Sequence, residues 1–123
     1  MMNGHITGID HVQIAVPANA EAACRAFYVN LLGMPEIAKP PLLARRGGLW
    51  VKAGDQQLHC GVEPDFTPAR KAHPALMAKR IDDLAARLEG AGHAVVWDDA
   101  NPAVRRFFTH DPFGNRLEFV AAD

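Results

Sequence analysis

Among the 123 residues, His11, His59, His73 and Glu118 have the types and the spacing to hold a divalent metal ion. His11 and His73 stand 62 positions apart, and His59 and Glu118 stand 59 apart, so two pairs repeat with nearly one offset. Imidazole nitrogen suits zinc, iron, nickel and copper, and a carboxylate adds charge and a hard oxygen. Glu118 poses the sharpest question, because it lies between Leu117 and Phe119. A strand sends alternate side chains to opposite faces, so Glu118 points away from the face that buries its neighbours. His59, between Leu58 and Cys60, is in the same position. A metal held at that second face accounts for both. His5 is expected in a frayed tail, and His93 and His110, beside a helix stop and a turn, are expected to be solvated.

Positioning such residues requires strands, and the sequence supplies them in a repeated order. IDHVQIAV, residues 9–16, alternates, with Val12, Ile14 and Val16 on one face and His11, Gln13 and Ala15 on the other. A helix is predicted next, capped by Asn19, with Glu21 in its first turn and an apolar stripe of Cys24, Phe27, Tyr28, Leu31 and Leu32. Gly33 is expected to stop it. Strands are predicted around Leu42–Arg45, over Leu49–Ala53 and over Gln57–Glu63, with a turn at Gly54-Asp55. The second half repeats the plan: a strand over Ala72–Ala78, a helix capped by Asp82 or Asp83 and closed by Gly92, then strands at Ala94–Trp97, Arg105–His110 and Arg116–Val120. Asp111-Pro-Phe-Gly-Asn115 has the residues of a tight turn and is read as structural.

The expected fold is therefore α+β: two tandem βαβββ modules, about 7–63 and 72–121, joined by a linker at 64–71 within one domain of 1–123. Each module alone leaves a sheet face uncovered, and two of them curl into a mixed sheet around a cleft. A net charge of −1 leaves no footprint for nucleic acid. No apolar run approaches the roughly 20 residues of a membrane helix. MMNGHITGIDH lacks the basic-then-apolar order of a secretory signal, and the cytoplasm is the expected location. Cys24 and Cys60, far apart in sequence, are expected as packed thiols rather than a disulfide.

The segments IDHVQIAV, AFYVNLLGM (26–34), LHCGVE (58–63), AHPAL (72–76) and RRFFTHDPFGNRLEFV (105–120) resemble the vicinal oxygen chelate superfamily. That group includes glyoxalase I, fosfomycin-resistance proteins, extradiol dioxygenases and bleomycin-binding proteins. The resemblance implies a glyoxalase-like fold with metal ligands on the first and last strands of each module, here His11, His59, His73 and Glu118. His59 falls where glyoxalase I has a glutamate, which leaves Glu118 as the one carboxylate for proton transfer. The implied cofactor is a divalent metal: zinc, nickel, iron or manganese. The implied activity is a glyoxalase-type isomerisation of a small substrate gripped through two adjacent oxygens. Trp50, Arg106 and Phe108 are the expected substrate contacts, with the arginine gripping an anionic tail. The alternatives are an extradiol-type dioxygenase, a fosfomycin-type thiol transferase and a non-catalytic bleomycin-type drug-binding protein. A homodimer, with a site that two chains can share, is the expected assembly.

Overall fold

The computed structural model describes residues 4–123, and in it each half of the chain builds its own four-stranded sheet. The first runs β1 (His11–Val16), β4 (Gln56–Val62), β3 (Leu49–Ala53), β2 (Glu36–Ile37) across the sheet. The second runs β5 (Ala75–Ala78), β8 (Arg116–Ala121), β7 (Arg106–His110), β6 (Val96–Asp98). In both, the first strand pairs in parallel with the last, and the other neighbours are antiparallel. The expected α+β architecture of two tandem modules is what the chain adopts. Three helical elements complete it: α1 (Glu21–Cys24, continuing as a π-helical stretch over Arg25–Leu31), α2 (Pro41–Ala44) and α3 (Ile81–Gly90).

One apolar core joins the modules, with Val16, Phe27, Tyr28, Leu58, Leu88, Phe107 and Leu117 all essentially inaccessible to solvent. These residues come from the alternating inward positions of the strands and from the buried stripes of the helices. Cys24 and Cys60 are both free and buried in it. A hydrogen bond that the Cys60 thiol gives to Cys24, together with burial, pushes the Cys60 thiol far up, so it packs as an inert apolar group. Among the described residues no helix is long and apolar enough to cross a membrane.

Several local expectations are corrected. Leu42–Arg45 is not a strand: Pro41 opens the short helix α2, its fixed φ and missing N–H both suiting a first helical position. The second strand of module one is instead Glu36–Ile37, held by Val51 and Trp50 of β3. Asn19 does not cap α1; it has φ 61°, and Ala20 occupies the cap position with no side-chain bond. Asp82 and Asp83 lie inside the first turn of α3, preceded by left-handed Arg80. The regular stripe expected after Cys24 widens, and the Leu32 amide reaches back five residues to the Phe27 carbonyl at 2.9 Å. Gly33 does end the helix, with φ 79°.

Gly48 precedes β3 with φ 84°, and a Cβ there would lie 2.1 Å from the carbonyl oxygen of Cys60 on the neighbouring strand. Neither the backbone conformation nor the space admits a side chain. Gly48→Ala is expected to lower the unfolding free energy by about 3 kcal/mol, read from a urea denaturation curve with unchanged slope.

Candidate metal centre

On the open face of the first sheet, register brings three rings side by side. Trp50 of β3 pairs with His59 of β4, and His11 of β1 lies diagonally beyond it. The Trp50 and His59 rings stack at 4.0 Å with planes 7° apart, and the His59 and His11 rings at 4.2 Å and 17°. His59 is consequently only 5% exposed. Its Nε2 meets the Gln57 Oε1 at 2.9 Å, a contact between residues two apart on one strand face. Burial holds the His59 imidazole below its usual pKa, and His11 and Lys39 nearby add to this, partly offset by Asp10. The ring is therefore neutral at neutral pH. His11 Nδ1 meets the Asp10 carboxylate at 2.9 Å, an arrangement that leaves Nε2 as the free electron-pair donor.

The second sheet holds the other pair. Glu118 on β8 is 7% exposed, and its Oε1 lies 2.9 Å from Nε2 of His73, two residues ahead of β5. His73 Nδ1 is 2.8 Å from the carbonyl oxygen of Lys71. A carbonyl only accepts, so Nδ1 carries the proton and a neutral His73 presents a lone pair at Nε2. Two electron-pair donors then face each other across 2.9 Å, and a shared cation, proton or metal, is needed between them. An N–H fixed by a backbone carbonyl is the usual support of a metal-bound imidazole. On this donor chemistry His73 and Glu118 would offer a divalent ion two donors and His11 a third, although among the described residues one chain does not bring His11 to the pair.

Arg106 donates to the Glu118 Oε2 at 3.2 Å and to the Asp98 carboxylate at 2.9 Å, one bond from each terminal nitrogen. Its Nε is buried with no hydrogen-bond partner. In this arrangement the guanidinium bridges Glu118 and Asp98. Phe108, which pairs with Glu118 across the strands, meets the His73 ring edge-on at 5.4 Å and lies under Arg116 at 4.1 Å. Trp50 presents one face to His59 and has Lys39 5.8 Å from its ring centroid.

The fold thus brings His11 to His59 and His73 to Glu118. Among the described residues of one chain it gathers no three His, Cys, Asp or Glu side chains into a single metal-holding group. His73 borders a cavity of about 470 Å³ that Gln13, Asn115 and Arg116 also line. A larger groove of about 1030 Å³, past Lys52, Met77 and Arg80, contains none of the four candidates and is set apart from this chemistry. His93, expected in solvent, instead packs on Phe27 at 4.9 Å and meets the His110 carbonyl at 3.1 Å. Sequence reasoning missed the supports Asp10 and Asp98. Asp98 becomes visible only through the pairing of β6 with β7, which sets it opposite Arg106.

Comparison with known proteins agrees with this architecture. A family model described as a glyoxalase-like domain matches residues 13–120. A Bacillus anthracis protein grouped by name with the glyoxalase family is 48% identical, with a TM-score of 0.94 over 99% of this chain and 100% of its own. The lactoylglutathione lyase of Agrobacterium tumefaciens shares the fold at 20% identity and TM-score 0.71, covering 97% of this chain and 96% of its own. A glyoxalase/dioxygenase from Nostoc punctiforme does so at 19% and 0.78, covering 98% and 94%. No curated protein matches the sequence. With nearly its whole length matched and its two modules in place, the chain belongs to the family of glyoxalase-like domains.

Proposed function

We propose that the protein is a glyoxalase-type, metal-dependent enzyme, with lactoylglutathione-lyase-type isomerisation of a small substrate as its reaction. The observation that carries this reading is the His73–Glu118 pair, whose opposed donor atoms stand 2.9 Å apart while Lys71 secures the far side of the imidazole. Since the described residues of one chain gather only pairs, the complete centre would combine His11 of one chain with His73 and Glu118 of a second copy in a homodimer. A divalent ion held there would act as a Lewis acid on two neighbouring substrate oxygens.

The chain's own residues do the rest. In this reading Glu118, which accepts from Arg106 at Oε2, would also carry a proton from one substrate carbon to the next. Phe108, against His73, and Trp50, stacked on His59, are the flat apolar surfaces that this reading offers the substrate. A ring-cleaving dioxygenase is the second reading, favoured by a donor set of two imidazoles and one carboxylate that suits ferrous iron.

Elemental analysis of untagged protein tests the centre. About one equivalent of divalent metal per chain is expected, falling below roughly a tenth in Glu118→Ala and His73→Ala. Metal below about half an equivalent and unchanged by His73→Ala would favour a drug-binding module instead. Loaded protein is then assayed against hemithioacetals of 2-oxoaldehydes, catechols and fosfomycin. Turnover of the first class alone supports the isomerase, and oxygen-dependent turnover of catechols replaces it with the dioxygenase.

A further inference from the structure

We propose that His59 is a positioning residue that orients His11 through ring stacking, and that it does not itself bind the metal. The inference rests on the metal-centred reading above. An imidazole binds a cation along a lone pair that lies in the ring plane, roughly 2.1 Å from nitrogen. A cation shared by two imidazoles must therefore lie in both ring planes. The planes of His11 and His59 are inclined by only 17° with centroids 4.2 Å apart, so they meet far outside bonding reach.

His59 is also clamped where it stands. Trp50 covers its other face at 4.0 Å, and Gln57 engages its Nε2. Turning the ring towards a cation beside His11 would break both stacks and that hydrogen bond. His11, by contrast, has a side chain 43% exposed, with Nδ1 held by an Asp10 carboxylate that is itself 93% exposed. The broad face of His59 is the rigid surface against which His11 rests. Three rings on adjacent strands β3, β4 and β1 thus form one ladder that ends in His11. The position that holds a carboxylate ligand in glyoxalase I would here serve as a brace.

Phenylalanine separates the two roles, since it keeps a flat ring of similar size and has no lone pair. Zinc affinity, measured by competition with a chromogenic chelator, is expected to stay within about threefold of wild type in His59→Phe. It should fall about tenfold in His59→Ala, where the brace is gone, and about a hundredfold or more in His11→Ala and Glu118→Ala. Electron spin echo spectra of copper-loaded protein should give the same count of bound imidazoles in wild type and His59→Phe. A loss in His59→Phe as large as that in His11→Ala, with one imidazole fewer in the spectrum, overturns the inference and leaves the metal centre standing. Unchanged affinity in both His11→Ala and Glu118→Ala overturns the metal reading and this inference with it.

Discussion

Dimers assembled from one His11→Ala chain and one Glu118→Ala chain are expected to hold about one metal ion each, while dimers of either variant alone hold almost none. In a two-fold pair whose sites are shared, one site of the mixed dimer collects both defects and the other collects neither. The geometry motivating this is the division of the four candidates between two sheets, with His11 beside His59 on one and His73 bonded to Glu118 on the other. Co-expression with two different tags and tandem purification isolates the mixed species, and its metal content is compared with wild type. Mixed dimers as empty as their parents would show that each site lies within a single chain. A shared site also makes metal occupancy depend on protomer concentration, and dilution below the dimer dissociation constant should release the ion.

Asp111→Ala is expected to cost about 4 kcal/mol of folding stability. The side chain is 4% exposed and serves as the acceptor for four donors. Its Oδ2 accepts from the Tyr28 hydroxyl at 2.6 Å and from Asn115 Nδ2 at 2.9 Å. Its Oδ1 accepts from the backbone amides of Phe113 and Asn115 at 2.9 and 2.8 Å. Tyr28 is fully buried, and desolvation together with the neighbouring Asp111 charge pushes its phenol well up, so it remains a proton donor. Removing the carboxylate strands several of these donors away from water, each at about 1–3 kcal/mol. Asp111→Asn keeps one oxygen acceptor and should lose about half as much. A urea midpoint that barely moves in Asp111→Ala would show that solvent or other groups replace all four bonds.

The same residues show what a sequence reveals and what it hides. The DPFGN segment was legible as a tight turn because proline, glycine and Asx chemistry is local. Its wider role was not, because Tyr28 lies 83 positions away and only the folded core brings the two together. The repeat offsets matched His11 with His73 and His59 with Glu118, but that His73 is the one that meets Glu118 within a chain depends on the folded register. The stack of Trp50 on His59 depends on the register between β3 and β4, which alternation alone leaves free to slip. β2 had no local signal: two residues become a strand only because Val51 and Trp50 receive them. The leucines at 42 and 43 suggested a strand, but the proline pair before them set the backbone towards a helical turn.

In each module the opening strand finds its parallel partner only in the closing one, His11 opposite Gln57 and Ala75 opposite Glu118. During synthesis β1 must therefore wait, with its hydrogen-bonding groups unsatisfied by any neighbour, until the chain has grown through Val62. Such distant pairing slows closure, yet it also makes each half a self-contained loop whose ends meet. The two closed loops are then tied to each other where Asn115 of the second donates to the Ala15 carbonyl of the first at 2.8 Å.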